Sequence, residues 1–152
     1  MNEDDNASVL GIAYEIEEEK CKDTFKYLDF REKCGYSKHE VKFYPIQSKD
    51  SREITCICYY ADETNKYYSK IINNDNYVAD HIIESKGPSG TNLEYFLNVC
   101  NAIRKLIREN SASDDQNEFY FKNEKHLFEL EMIVKRKMIT SNKSNKSLIS
   151  TV

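Results

Sequence analysis

The spacing of apolar residues changes along this chain, and that change limits the folds open to it. Val9–Ile16 places apolar side chains at every second position, a pattern typical of a strand. Ile54–Tyr60 is apolar on both faces, which is typical of a strand inside a sheet. Leu93–Ile107 instead repeats its apolar residues at helical spacing. Early strands followed by helices indicate an α+β fold.

Further signals complete the first half of the chain. The acidic run Glu17–Glu19 favours a helix start, and Gly35 is a natural end for that helix. Val41 and Phe43 alternate ahead of Pro45 and predict another strand. The connection from the first strand to the later ones is long enough for parallel pairing, whereas the two later strands can pair antiparallel. The sequence therefore predicts a mixed sheet.

The second half of the chain predicts helices separated by short loops. A short helix around Val78, Ile82 and Ile83 ends at Gly87–Pro88. A longer helix follows, and its first residues have the spacing of a capping box, Thr91 with Glu94. The segment Ser111–Asp115 indicates a loop. A last helix is marked by four apolar residues at helical spacing, Leu127, Leu130, Val134 and Met138.

Both ends of the chain are polar. Residues 1–8 form an acidic, polar tail, and residues 139–152 are rich in Ser, Asn and Lys, a composition that favours disorder. Residues 9–138 are therefore expected to be the folded part, and 152 residues suit a single domain. The last residues, Ser150–Val152, resemble a ligand of PDZ domains. The alternative is that this segment is a tail without a binding partner.

Charge and composition argue against several classes of protein. The net charge is −4 and the pI is about 5.5, so no nucleic-acid partner is expected. No apolar run approaches the roughly 20 residues of a membrane span. The first residues are acidic and polar, which is unlike a signal peptide. We therefore expect a cytoplasmic protein with no membrane partner.

The five cysteines are odd in number and irregularly spaced, which argues against a disulfide framework. Cys56 and Cys58 are two residues apart in an apolar run, so a strand would place them on one face. They could be a metal pair, or two small hydrophobic residues of the core. No second cysteine pair completes a zinc site, and no metal is expected.

Five short runs, taken in order, resemble the ChaC-type glutathione-specific γ-glutamylcyclotransferases. They are Gly11–Tyr14, Tyr27–Tyr36, Val41–Pro45, Gly87–Tyr95 and His126–Glu131. The resemblance implies a partial γ-glutamylcyclotransferase-like fold, with a small mixed sheet or open barrel flanked by helices. It also implies a lyase that degrades glutathione without a metal, nucleotide or flavin. The free α-amine of the γ-glutamyl group attacks its own γ-amide carbonyl, and the products are 5-oxoproline and Cys-Gly.

By position, Glu32 matches the catalytic glutamate of that family. One carboxyl group can take the proton from the attacking amine and then give it to the leaving nitrogen. The resemblance also allows the hydroxyls of Tyr36 and Tyr95 to contact substrate, although either residue could equally be an aromatic core residue with a satisfied hydroxyl. Asp29 is expected to be structural, paired with Arg31 or capping the turn.

One feature of the family is missing from these 152 residues. The family begins with a strand that carries a Tyr-Gly-Ser-Leu loop, whose backbone N–H groups hold the γ-glutamyl part of the substrate. This sequence contains no Tyr-Gly-Ser-Leu, so residues 9–138 are expected to be an N-terminally truncated domain. Two hypotheses follow. The chain is a glutathione-degrading cyclotransferase, or it is a catalytically inactive remnant that acts as a binding or regulatory protein.

Overall fold

The computed structural model describes residues 8–32, 35–46, 53–61, 65, 74–111 and 113–149, with side chains described up to residue 140. The elements in chain order are α1 (Glu18–Arg31), β1 (Ser37–Phe43), β2 (Ile54–Tyr60), α2 (Asp75–Glu84), β3 (Lys86–Gly87), β4 (Gly90–Thr91), α3 (Asn92–Asn110), α4 (Asp114–Asn123) and α5 (Lys125–Ile149). The described residues fall into two compact units. The hairpin unit holds described residues between 12 and 65, and the helical unit holds residues 8–11 and those from 74 onward.

The hairpin unit consists of α1 followed by the antiparallel pair β1 and β2. The register runs from Ser37 opposite Tyr60 to Phe43 opposite Ile54. Both strands predicted in this region are therefore confirmed. The apolar character of β2 on both faces predicted a place inside a sheet, but within the described residues β2 pairs with β1. A strand with apolar side chains on both faces tends to be buried on both faces, but this pattern does not determine how many strands pair with it.

The helix α1 begins where local chemistry predicts, and it ends four residues before Gly35, the predicted stop. Glu17 is its N-cap residue, and further acids occupy the first turn, where the helix dipole favours negative charge. The helix ends at Arg31, and Gly35 turns the chain with φ +98°, a left-handed conformation that favours glycine. Cys21, Phe25 and Leu28 recur at helical spacing along α1, and all three are half-buried in the structure.

The predicted strand at Val9–Ile16 is wrong. Residues 8–17 are neither helix nor strand, and Tyr14 is 81% exposed. The backbone N–H of Leu10 donates to Oε1 of Glu124 at 2.8 Å, so a side chain satisfies it in place of a neighbouring strand. An apolar residue at every second position places the apolar side chains on one face of an extended segment. A strand also needs hydrogen-bond partners for its backbone N–H and C=O groups. Among the described residues the sheets are two antiparallel pairs, and the parallel pairing expected for a mixed sheet does not occur there.

The helical unit is built around α2, α3 and α5. Its buried core cluster joins Ala79 and Ile82 of α2 to Leu130 and Val134 of α5. Of the four residues predicted for the apolar face of the last helix, Leu130 and Val134 lie in this core and Met138 packs against it. The short β3–β4 hairpin connects α2 to α3 through Pro88 and Ser89. With five helices and two small sheets in the described part of the chain, the α+β class is confirmed.

Local caps fix where the helices of this unit start. Asn74 accepts a hydrogen bond from the backbone N–H of Tyr77 at the start of α2. Thr91 accepts one from the backbone N–H of Glu94 at 3.2 Å, so the predicted cap of α3 is present. Each cap satisfies a backbone N–H that has no partner within the helix.

Two helical segments differ from the sequence-based expectation. The helix α4 was not predicted, and Ser113 caps it by accepting from the backbone N–H of Gln116. The backbone of α5 stays helical to Ile149, over most of the 139–152 segment that its composition favoured as disordered. Extending a helix that has already formed costs less than starting a new one, which allows polar residues to continue it. The PDZ-like end, Ser150–Val152, lies outside the described residues.

Candidate active site

Glu32 lies at the end of α1, as the residue that caps the helix. Its backbone N–H donates to the carbonyl oxygen of Leu28 at 2.8 Å, so the last helical hydrogen bond fixes its main chain. Its side chain is 24% exposed, and Oε1 lies 3.2 Å from Nε of Arg31. The carboxylate is therefore partly shielded, oriented by a neighbouring cation and still open to solvent.

The turn that follows links Glu32 to Tyr36. The backbone N–H of Tyr36 donates to the carbonyl oxygen of Glu32 at 3.3 Å. The side chain of Asn65 lies against Gly35, in the space that a Cβ atom would occupy. Any larger residue at Gly35 would therefore meet both steric contact and an unfavourable φ. Of the predicted site residues, the structure brings Glu32 and Tyr36 together, and Tyr36 is half exposed.

Asp29, one turn before Glu32, has different partners from those expected. The hydroxyl of Tyr59 donates to its Oδ1 at 2.6 Å, and Nζ of Lys38 lies 3.4 Å from the same oxygen. The hydrogen bond from Tyr59 lowers the pKa of Asp29, and Lys38 acts in the same direction. The expected pairing with Arg31 is replaced, because the guanidinium of Arg31 contacts Glu32.

Tyr95 lies in the helical unit, near the start of α3, and is 69% exposed. The Gly87–Gly90 motif precedes it as the β3–β4 hairpin, and Gly90 has φ +133°. This geometry explains why glycine is used at that position: side chains other than glycine rarely adopt such a backbone conformation. The exposure of Tyr95 argues against its being a core residue and leaves its hydroxyl accessible to solvent.

The helical unit contains a buried ion pair that was not predicted from the sequence. Glu131 on α5 is only 2% exposed. Arg104 on α3 donates to both of its oxygens, with Nη1 at 3.1 Å from Oε1, and Lys135 lies 2.6 Å from Oε1. The hydrogen bonds from Arg104 hold the pKa of Glu131 below its usual range. The guanidinium of Arg104 also lies over the ring of Phe128, at 4.6 Å.

A signal for this pair was present in the sequence. Arg104 follows Cys100 by four residues and precedes Ile107 by three, so it lies on the apolar stripe of α3. Glu131 occupies the same kind of position on α5, four residues after Leu127. Opposite charges on two apolar stripes indicate a buried pair, since an isolated charge would be too costly there.

A metal pair was one of the two alternatives for Cys56 and Cys58. Within the described ranges, no group of three or more His, Cys, Asp or Glu side chains could hold a metal ion. Cys56 is half-buried, Cys58 is exposed and Cys100 is buried, all as free thiols. In the same part of the chain, no helix has the length and apolar character needed to cross a membrane.

Comparison with known sequences decides the family. The profile of the family described as ChaC-like protein matches residues 1–137. The chain belongs to the ChaC-like family. The resemblance carried by the Tyr27–Tyr36 and Gly87–Tyr95 segments is thereby confirmed.

The relatives of this ChaC-like chain described below are all named gamma-glutamylcyclotransferases. It is 34% identical to Glutathione-specific gamma-glutamylcyclotransferase 1 of Rattus norvegicus over 104 residues, which are 67% of this chain and 46% of the rat protein. The protein of the same name from Homo sapiens is 33% identical over the same length. Gamma-glutamylcyclotransferase 2-3 of Arabidopsis thaliana is 27% identical over 118 residues, 57% of that protein. The ChaC-like chain thus spans about half the length of these relatives.

Proposed function

We propose that this chain degrades glutathione by intramolecular cyclisation of the γ-glutamyl group, with Glu32 as the acid and base. The observation that carries the proposal is the position of Glu32 in a family member whose relatives are named for this reaction. The carboxylate is held at a helix end and remains accessible. A general base needs both properties, because it must reach a proton on a bound substrate from a fixed position.

The proposed reaction balances without water or a redox partner. With the α-amine of the γ-glutamyl group in its neutral form, the nitrogen lone pair attacks the γ-carbonyl carbon and Glu32 takes one proton from that nitrogen. A five-membered lactam forms as the amide bond to cysteine breaks, and the proton passes from Glu32 to the leaving nitrogen. The products are 5-oxoproline and Cys-Gly. Since nucleophile and carbonyl belong to one molecule, holding glutathione in a folded shape supplies much of the rate acceleration.

Other residues take secondary roles in this proposal. We assign the hydroxyls of Tyr36 and Tyr95 to substrate contact because each residue ends a segment that resembles the family, and both residues are exposed. We place the reaction in the cytoplasm, where glutathione also keeps free thiols such as Cys58 reduced.

The test is product formation from glutathione. The purified chain is incubated with glutathione, and 5-oxoproline and Cys-Gly are measured by mass spectrometry. We expect equimolar products from the unaltered chain, and a loss of about 10²–10⁴-fold in Glu32→Gln, the usual contribution of a general acid and base. Glu40→Gln, an exposed glutamate on β1, is the matched control and should keep the activity. Equal rates in Glu32→Gln and the unaltered chain would contradict the role of Glu32.

The same material tests the alternative, a catalytically inactive remnant that acts as a binding or regulatory protein. Isothermal titration calorimetry with glutathione separates the two. Binding without 5-oxoproline would support the alternative, and neither binding nor product would contradict glutathione as the ligand of this chain.

A further inference from the structure

Two strands and one helix converge on a single carboxylate close to Glu32. Tyr59 of β2 and Lys38 of β1 lie opposite each other in the register, and both contact Oδ1 of Asp29 in the last turn of α1. We call these three residues the Asp29 cluster. The ammonium of Lys38 also lies 4.6 Å from the ring centroid of Phe25, one turn earlier on the same helix.

We infer that the Asp29 cluster is a positioning device for Glu32, which fixes the end of α1 against both strands of the hairpin. This inference rests on the proposed function, since it assigns residues that act through the proposed acid and base. Asp29 and Glu32 are three residues apart, so they share one side of the helix end. A restraint on Asp29 therefore restrains the turn that carries Glu32.

The opposite charges of Asp29 and Lys38 stabilise the Asp29 cluster. The hydrogen bond from Tyr59 lowers the pKa of Asp29. Burial alone would lower the pKa of Lys38, but the hydrogen bond and charge of Asp29 raise it overall. Both groups therefore keep their charges over a wider pH range than isolated side chains, and Asp29 remains an acceptor for both partners.

The rate of the proposed reaction depends strongly on where the carboxylate of Glu32 is placed. A displacement of about 1 Å at a reacting group can cost on the order of 100-fold in rate. Glu32 has main-chain hydrogen bonds to Leu28 and from Tyr36 and a side-chain contact to Arg31, and none of these three partners belongs to a strand. The Asp29 cluster adds what those contacts lack, a link from the helix end to the strands.

The hairpin contains its own control. At its other end, the hydroxyl of Tyr44 lies 3.2 Å from Oε2 of Glu53, and Nζ of Lys42 lies 3.1 Å from the same oxygen. This Glu53 cluster has the same chemistry, a tyrosine and a lysine on one carboxylate, but it joins the two strands to each other and contains no residue of α1. Substitutions there test the general stability of the hairpin.

The experiment compares Tyr59→Phe with Tyr44→Phe, each of which removes one hydroxyl. We expect kcat for 5-oxoproline formation to fall about tenfold in Tyr59→Phe, with KM within about twofold, because a misplaced base slows the chemical step more than binding. Tyr44→Phe should leave both constants unchanged. Lys38→Met should lower kcat, and Lys38→Arg should restore it. Circular dichroism checks that each variant is folded.

Several results would overturn the inference. One is a Tyr59→Phe variant with the kcat of the unaltered chain, and another is a Tyr44→Phe variant that loses as much. If the unaltered chain forms no 5-oxoproline, the proposed function fails, and amide hydrogen exchange then judges the cluster alone. Faster exchange at Glu32 and Tyr36 in Tyr59→Phe than in Tyr44→Phe supports the link to the strands, and equal exchange refutes it.

Discussion

Replacing Arg104 by Met should destabilise the helical unit strongly, because Glu131 would keep its charge in a buried site. Glu131 is 2% exposed, and Arg104 contacts both of its oxygens. Breaking a buried pair by removing one partner costs about 3–5 kcal/mol. Lys135 still contacts Oε1 from a half-exposed position, so we expect the lower end, about 3 kcal/mol. Met preserves an unbranched apolar chain next to Phe128.

The assay is urea and thermal unfolding followed by circular dichroism at 222 nm. The chain has no tryptophan, and four of the five described helices lie in the helical unit, so the helical signal reports mainly on that unit. At about 2–4 °C per kcal/mol for a chain of this size, Tm should fall by about 6–12 °C. Arg108→Met, an exposed position one turn further along α3, is the matched control and should stay within about 0.5 kcal/mol.

A double variant separates the cost of an unpaired charge from the value of the pair. Arg104→Met combined with Glu131→Met removes both charges, and we expect it to recover most of the lost stability, because apolar residues often replace buried pairs without loss. A single Arg104→Met variant that costs under about 1 kcal/mol would refute the reasoning, since Glu131 would then be adequately solvated or neutralised without Arg104.

The pH dependence of the unaltered chain follows from the same pair. The pKa of Glu131 is held below its usual 4.5 in the folded state, mainly by Arg104. Its stabilising contribution is therefore complete above the unfolded-state pKa and is lost as pH falls through the folded-state pKa. The unaltered chain should lose stability below about pH 4.5 faster than the double variant does.

Two further expectations concern local structure. Thr91→Ala should lower the free energy of unfolding in urea by about 1 kcal/mol, because it removes the cap of α3. Ser89→Ala in the preceding turn is the control and should leave that free energy nearly unchanged. Equal effects of the two substitutions would contradict the capping role. Iodoacetamide should alkylate Cys58 well before Cys100, since Cys58 is exposed and burial raises the pKa of the Cys100 thiol. Peptide mapping by mass spectrometry measures both rates, and a fast reaction at Cys100 would show that its site opens in solution.

Local signals in the sequence predicted most of the described elements. The boundaries of β2 and the Thr91 cap of α3 depend on neighbouring residues, so one stretch of sequence contains the information. The helix α4 was missed because its aromatic run, Phe119–Phe121, has no helical period. The Val9–Ile16 strand was wrong for the opposite reason: its pattern is regular, but pairing depends on residues elsewhere in the chain.

The candidate site shows the same division. Glu32 was proposed from its motif, and in the structure it lies at the end of α1 as the C-cap residue. The partners of Asp29 were not predictable, because Tyr59 follows it by 30 residues and only the hairpin register brings them together. Long-range contacts of this kind depend on the fold, whereas a cap or a turn depends on adjacent residues.

The hydrogen bond from Leu10 to Glu124 has a consequence for protein synthesis. The two residues are 114 positions apart, and the residues of the hairpin unit lie between them in the chain. At about 5–20 residues per second, a ribosome needs roughly 6–23 s to make that intervening chain. Residues 8–11 therefore cannot make this contact until Glu124 has been synthesised. The helix α1 and the strands β1 and β2 can form earlier, because they are close together in the sequence. The earliest residues of the helical unit to be synthesised are thus among the last to reach their native partner.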